Sequence, residues 1–331
     1  MYKSLGISLA LAALLTINAV ASLAAAALWR LIERPMRRCS ARTRAEVLFA
    51  MRVGPPAVAL ISVAALLIPS YIAYEPYSTN EFVSKKLGAL AILSAIGVAL
   101  ALSRGFRSWL ATRSLLKKWL NSATPIKLPE IDVPTFRISH PFPIIAVVGM
   151  FRPRLFIAER VIESLSQDEM VAAIAHECGH LAARDNLKRS LLRVCRDALM
   201  IVPCGRSIDR AWSENAEVAA DEHAADRGSA VALNLASALI EIARMVPAGV
   251  RPSMPAGAFI LGDETHGVMG RVNRLVTLAG AGQPQPKVIF ISWAERIGLF
   301  LLLTGLTLTL TNTHALASLH VAMERVVQVL T

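Results

Sequence analysis

The sequence predicts a mainly α-helical integral membrane protein, with about four transmembrane helices and a cytosolic α+β domain that carries a small sheet. Hydrophobic residues make up 54% of the 331 residues, and many of them gather into four runs long enough to cross a bilayer. Between the third and fourth runs, short β-branched segments are followed by helical apolar stripes. We therefore divide the chain into a three-helix membrane region (1–103), a cytosolic domain (104–296), and a fourth transmembrane helix with a short tail (297–331).

The four apolar runs are the main evidence for membrane insertion. They cover residues 4–29, 56–74, 87–103 and 297–319. The fourth run is the weakest because Asn312 and His314 interrupt it, and its end is left open. A secretory signal is an alternative for the first run. Its length and the single charge before it, Lys3, favour a retained anchor instead.

Basic residues set the predicted orientation of these helices. Arginines and lysines crowd the segments 30–52 and 104–118, and basic flanks of this kind face the cytosol. The protein is therefore predicted to be a multi-pass protein of the cell's inner (plasma) membrane, with its central domain in the cytosol. The same segments supply much of the net charge of +11. Contact with the lipid bilayer is expected, and binding to nucleic acid is not.

The central domain combines strands and helices. Three β-branched or aromatic runs, punctuated by Pro and Gly, cover residues 135–139, 144–148 and 155–158. We predict a small sheet, whose edge strand either binds an extended substrate by strand addition or only packs against the helices. Helices are predicted to begin at Ser166 and to cover residues 187–202, 207–227 and 229–246. The segment 247–287 is expected to be the least structured, covering the site or leading to the last span.

His176, Glu177 and His180 form an HExxH motif on the first of these helices. Ser166 and Glu169 at its start have the spacing of a capping box, which supports a helix here. Histidines four residues apart project from one helix face, so both imidazoles can bind one zinc ion with Glu177 beside the open position. The alternative is a buried helix whose histidines only hydrogen-bond to their neighbours.

A hydrolytic zinc site needs a third protein ligand, and Glu217 is the leading candidate. It lies in an alanine-rich stretch that should be helical, so it can present a carboxylate opposite the histidines. Asp221, one turn later, is predicted to accept a hydrogen bond from a ligand histidine and fix its orientation. Glu214, Glu222 and His223 compete for these roles, and spacing alone does not decide among them.

Peptide hydrolysis is the chemistry that this set of residues favours. Zinc would acidify a bound water and polarise the scissile carbonyl, while Glu177 would take the proton and pass it to the leaving amine. A further donor usually stabilises the oxyanion. His223, Arg227 and His266 are candidates, although each is more typical of a structural role.

Several segments together resemble the membrane metallopeptidase domain of the beta-lactam sensor and signal-transducer family. They are GMFRP (149–153), LFIA (155–158), HECGH (176–180) with Arg184-Asp185, Pro203, and EVAADE (217–222). The resemblance implies a gluzincin-like fold, with His176, His180 and Glu217 as zinc ligands and Glu177 as the catalytic base. Members of that family continue beyond the fourth span into an extracellular penicillin-binding domain, whereas this chain ends at Thr331.

The resulting prediction is an integral membrane, zinc-dependent endopeptidase of regulated proteolysis. Its protein substrate would be cytosolic or membrane-proximal, such as a transcriptional repressor or the chain itself, and a separate sensor protein would deliver the signal. An alternative is quality control or maturation of membrane proteins, as in the HtpX and CAAX-protease type of membrane gluzincin. A receptor or adaptor that binds zinc without hydrolysis is a further alternative, which an intact Glu177 disfavours.

Overall fold

A computed structural model describes residues 2–76, 83–128, 131–195, 205–246, 265–280 and 312–330. The amino-terminal part consists of long helices: α1 Tyr2–Met36, α2 Ala41–Ser62, α3 Ile68–Tyr74 and α4 Lys85–Ser122. A π-helical segment, Val63–Leu67, joins α2 to α3 without a break, so the two form one rod. Ser40 and Ser84 cap α2 and α4 by accepting hydrogen bonds from backbone N–H groups of the first turn.

Within the described residues, three helices are long and apolar enough to cross a membrane: Tyr2–Met36, Ala41–Tyr74 and Lys85–Ser122. They contain the first three predicted runs, which confirms those three candidate spans by length and composition. Helix α4 continues well beyond residue 103. The apolar run ends there, but the following segment contains Arg and Lys, which favour helices, and no Pro that would end the helix. Most of the fourth predicted run (297–319) lies outside the described residues.

The predicted small sheet is confirmed and has four strands: β1 Thr124–Ile126, β2 Thr135–Ile138, β3 Ile145–Val148 and β4 Arg154–Ala158. Their order is β1-β2-β4-β3, with β2 and β4 parallel and the other pairs antiparallel. Strand β3 therefore lies at one edge. All four of its residues are buried, as expected for a strand covered on both faces.

The remaining helices follow the sheet: α5 Glu159–Ser164, α6 Gln167–Ala183, α7 Asp185–Cys195, α8 Gly205–Ala225, α9 Ser229–Met245, α10 Thr265–Gly280 and α11 Thr313–Leu330. The expectation of little structure over 247–287 is wrong for residues 265–280, which form α10. Val268, Val272 and Leu275 recur at helical spacing and pack into the core. Their burial stabilises a helix that the neighbouring Pro and Gly residues obscured.

One hydrophobic core joins the sheet to α6, α9 and α10. Alanines dominate the faces of α6 and α8 that meet, and Gly179 marks their closest approach. A Cβ atom added at Gly179 would lie 2.9 Å from the Cα of Ala220, so only glycine allows the two backbones to come this close. This contact places the second half of α8 directly against the HExxH helix.

The rod formed by α2 and α3 also packs against α8. Ala45 and Leu48 of α2 share a buried cluster with Trp212 of α8, and Arg52 Nε lies 3.1 Å from Asp209 Oδ1. The Lys188 ammonium of α7 pairs with the Glu46 carboxylate. The helices around the HExxH motif are therefore fastened to a rod that is long and apolar enough to cross the membrane.

Candidate metal centre

Local interactions at both ends fix the helix that carries the HExxH motif. Ser166 Oγ accepts from the Glu169 backbone N–H, and the Glu169 carboxylate accepts from the Ser166 N–H at 2.9 Å, which completes the capping box. At the other end Arg184 adopts a left-handed conformation with φ 55°. Helix α7 begins at the next residue, so two helices meet just beyond His180.

His176, His180 and Glu217 come together as a cluster that could hold a metal ion. The two imidazole Nε2 atoms lie 3.1 Å apart. Glu217 Oε2 lies 3.7 Å from Nε2 of His176, and Glu217 Oε1 lies 3.9 Å from Nε2 of His180. Zinc bonds of 2.0–2.2 Å in a tetrahedron separate ligand atoms by about 3.3–3.6 Å. The donor set therefore fits zinc and leaves a fourth position for water or substrate.

Each histidine turns its other ring nitrogen towards a carboxylate. His176 Nδ1 lies 3.0 Å from Asp221 Oδ1, and His180 Nδ1 lies 2.7 Å from Asp185 Oδ2. A proton on Nδ1 that bonds to the carboxylate leaves the Nε2 lone pair free for a metal. Asp221, which the sequence suggested for this role, lies beside His176, whereas Asp185 was not predicted as a partner of His180.

The electrostatic surroundings of the two histidines differ. Burial, assisted by the nearby Arg271 charge, lowers the pKa of His176 to about 3. Burial also disfavours charge on His180, but the Asp185 hydrogen bond and the Glu217 charge outweigh it and raise the His180 pKa. Burial opposes ionisation of Asp221, yet the Arg271 guanidinium holds the Asp221 pKa below its usual value.

Arg271 of α10 lies against the cluster and was not singled out from the sequence. Its Nη2 and Nε atoms bond to Asp221 Oδ1 and Oδ2 at 2.6 and 2.9 Å, and its Nη1 lies 2.9 Å from Glu217 Oε2. Only 12% of the side chain is exposed. One feature of the sequence could have indicated Arg271. It lies at helical spacing from Val268 and Leu275, on a face where apolar residues are expected.

Glu177 is fully buried beside the cluster. Burial raises the pKa of its carboxyl to about 8. The nearby His180 charge and, to a smaller extent, the Val147 backbone oppose this rise in pKa without cancelling it. Neither Glu177 oxygen has a hydrogen-bond partner of normal geometry among the described residues. A carboxyl group that readily gains and loses a proton near neutral pH suits general acid–base chemistry.

The competing residues have other contacts. Glu214 pairs with Arg210 at the surface, and Glu222 pairs with Arg274 while accepting from the Ala41 N–H. Among the described residues, none of the rivals considered for Glu217 belongs to the cluster of His176, His180 and Glu217 that could hold a metal ion. The burial of His223 lowers its pKa.

The remaining oxyanion candidates are not placed in the cluster. Burial raises the pKa of the Cys178 thiol, and Arg227, which lies against it, offsets part of that rise. The His266 side chain is outside the described residues. The structure therefore brings together His176, Glu177, His180, Glu217 and Asp221 and assigns no oxyanion donor.

A cavity of about 370 Å³ opens beside His180 at the end of β3. Its walls include Leu181, Leu187 and Phe151, and 79% of Phe151 is exposed. Asn186 Nδ2 donates to the Val147 and Gly149 carbonyls at 2.9 and 3.3 Å. These carbonyls are thus already bonded, so an added substrate strand would have to pair with other groups of the β3 edge.

A family model matches the region that contains this cluster. Residues 112–240 match the model of Peptidase family M48. The matched segment runs from the end of α4 into α9 and includes the HExxH motif, Glu217 and Asp221, whereas Arg271 lies beyond it. No curated protein matches the chain. Together with the apolar helices, the match is consistent with a membrane zinc metallopeptidase of the gluzincin type.

Proposed function

Because residues 112–240 match the model of Peptidase family M48, we propose that the chain is a membrane-anchored zinc endopeptidase that cuts proteins close to the bilayer. The observation that carries this proposal is the convergence of His176, His180 and Glu217 beside Glu177. Three ligands leave a coordination position for chemistry, and a buried carboxyl group without a well-formed hydrogen bond is available there for proton transfer.

Each residue has a distinct part in the proposed hydrolysis. Zinc, when bound, supplies a Lewis acid that polarises the scissile carbonyl and acidifies water. Glu177 accepts the proton of the attacking water and later delivers it to the leaving amine. Asp221 and Asp185 hold the two imidazoles in the tautomer that presents Nε2. Arg271 positions Glu217 and Asp221 by neutralising both carboxylates.

The arrangement of the helices supports cleavage near the membrane surface. Helix α4 runs from its apolar half directly to Ser122, and β1 begins two residues later at Thr124. The rod Ala41–Tyr74 packs against α8, which carries Glu217. The basic flanks of these helices place the site on the cytosolic side of the inner membrane in our proposal.

Regulated proteolysis is the role that we propose for this activity. The substrate would be a cytosolic or membrane-proximal protein, such as a repressor or the chain itself, and a separate sensor would supply the signal. The sequence resemblance to the sensor family supports this role. The M48 match and the proximity of the cluster to membrane helices favour a second candidate, the turnover or maturation of membrane proteins.

The test is a comparison of newly formed protein N-termini in cells that express the wild type, Glu177→Gln, or Glu214→Gln as a matched surface control. Loss of the general base should lower the cleavage rate by about 10²- to 10⁴-fold without removing zinc. New N-termini that depend on Glu177 and are confined to one cytosolic protein or to this chain would support signalling. New N-termini spread over many membrane proteins would support turnover. Identical ends in zinc-loaded wild type and Glu177→Gln would reject the peptidase.

A further inference from the structure

We propose that Glu75, His320 and Glu324 form a second divalent metal site, at the end of the membrane rods remote from the HExxH motif. Glu75 directly follows α3, and the other two residues lie one turn apart on α11. Within the described residues, this group and the catalytic cluster are the two sets of potential ligands whose donor atoms all lie within 4.8 Å of one another.

The distances in the second cluster resemble those of the first. His320 Nε2 lies 3.8 Å from Glu75 Oε2 and 3.5 Å from Glu324 Oε1. Both distances exceed the usual length of a hydrogen bond, about 2.7–3.2 Å. They are close to the separation of about 3.3–3.6 Å between two atoms bound to one zinc ion. The carboxylates thus surround Nε2 at a spacing that suits a shared ion better than direct bonding.

Burial supplies an independent reason to expect a ligand. His320 is only 8% exposed, and the Glu75 side chain is 9% exposed. His320 Nδ1 is buried without a hydrogen-bond partner among the described residues. The ring lies near that of Tyr74, with centroids 6.0 Å apart. A buried imidazole is costly unless its polar atoms are bound, and a cation at Nε2 would supply one of the missing interactions.

The partly exposed Glu324 completes the site from the solvent side. About half of its side chain is accessible, so an ion can enter there and keep water in its remaining positions. Imidazole together with two carboxylates favours a transition-metal ion such as Zn²⁺ over Ca²⁺, which prefers oxygen ligands alone. The expected occupant is therefore zinc or a similar divalent transition metal.

This metal would connect two parts of the chain that are distant in sequence. One turn before His320 on α11, the Leu316 carbonyl accepts a hydrogen bond from Ser70 Oγ of α3 at 2.9 Å. Coordination would add a second tie between the same two helices. The rod Ala41–Tyr74 has 34 residues and is about 50 Å long at 1.5 Å per residue. Its amino-terminal half packs against α8, whereas Glu75 follows its other end. The role of this ion is therefore structural and separate from peptide hydrolysis.

The experiment counts zinc in the full chain, purified in detergent, with the catalytic ligands removed by His176→Ala and His180→Ala. After equilibration with Zn²⁺ and removal of excess, elemental analysis should find one zinc per chain. Adding His320→Ala should remove it. Adding His314→Ala, an exposed histidine of the same helix, should leave it in place. Absence of zinc in the parent variant, or zinc that persists after His320→Ala, would overturn the proposal.

A second variant guards against misfolding of the His320→Ala protein. Glu324→Gln changes a half-exposed side chain and should leave the fold intact, while weakening Zn²⁺ binding at least about tenfold, as even changes outside the ligand set commonly do. Zn²⁺ should also raise the melting temperature of the parent variant more than that of Glu324→Gln. An equal affinity and an equal thermal shift in both proteins would contradict the site.

Discussion

The candidate metal centre has two halves that arise in different ways. The local half, His176, Glu177, His180 and Asp185, comes from residues that follow one another on α6 and at the start of α7. The distant half, which includes Arg271, is contributed by α8 and α10. Helix periodicity alone aligns the local half. The distant half depends on how closely three helices pack, and it contains the buried charges that must balance each other.

This difference predicts where the site is most sensitive to mutation. His180 and Asp185 form a compact pair within one connection between helices. In the distant half, Arg271 bonds to Asp221 and also lies against Glu217, so one change leaves two carboxylates without their cation. Substitutions there should destabilise the fold as well as the metal site, whereas local substitutions should act mainly on the metal and the chemistry.

Arg271→Ala should produce the largest loss of stability. Removing one partner of a buried ion pair typically costs about 3–5 kcal/mol because the remaining charge stays buried. Arg274→Ala, one turn away, removes a partly exposed pair with Glu222 and should cost about 1 kcal/mol or less. Chemical denaturation of the metal-free proteins measures both values. Equal losses would show that Arg271 does not hold the distant half together.

Gly179→Ala should disturb the contact between the two halves. The added Cβ would meet the Ala220 backbone at 2.9 Å, so α6 and α8 must separate, at a cost of about 1–3 kcal/mol. Gly270→Ala is the matched control because nothing lies within 4 Å of its added Cβ; it should be neutral or stabilise α10 by about 0.5–1 kcal/mol. Retained zinc affinity in Gly179→Ala would mean that the close approach is not required.

Asp221→Asn and Asp185→Asn compare the two halves directly, since each carboxylate orients one histidine. Either change should lower zinc affinity or peptidase activity by about 10- to 100-fold. Asp221→Asn should be the more harmful because it also leaves Arg271 with less negative charge. Competition with a chelator measures the affinities. A larger effect of Asp185→Asn would reverse the proposed ranking of the halves.

Removing the Ser237 hydrogen bond to Glu169 of the capping box should give the smallest effect, visible as a change in the pH dependence of stability. The Ser237 hydrogen bond, with those from Ser166, lowers the pKa of Glu169 from its usual 4.5. A depressed folded-state pKa contributes stability that is present above about pH 4.5 and is lost as the pH falls through the folded value. Melting temperatures recorded from about pH 7 to pH 3 should therefore fall less for Ser237→Ala than for the wild type. Parallel curves would contradict this.

The two halves also differ in how far the sequence could predict them. The HExxH spacing and the capping box were sufficient to place His176, Glu177 and His180 on one helix, although Asp185 of the same half was not predicted. Glu217 was favoured over Glu214 by its setting, but only packing shows which of them approaches the histidines. Arg271 was missed because α10 follows a segment rich in Pro and Gly. Similarly, the charged continuation of α4 beyond residue 103 looked like the end of a membrane span.

The most direct test of the proposed metal centre compares two variants of the purified full chain, Glu217→Gln and the control Glu214→Gln. Zinc affinity and protein cleavage are measured for both. Both glutamates lie on α8, but only Glu217 approaches the two histidines. Glu217→Gln should lose tight zinc binding at the HExxH motif together with cleavage, whereas Glu214→Gln should keep both. Undiminished zinc binding and cleavage by Glu217→Gln would contradict the assignment of the distant half to the metal centre.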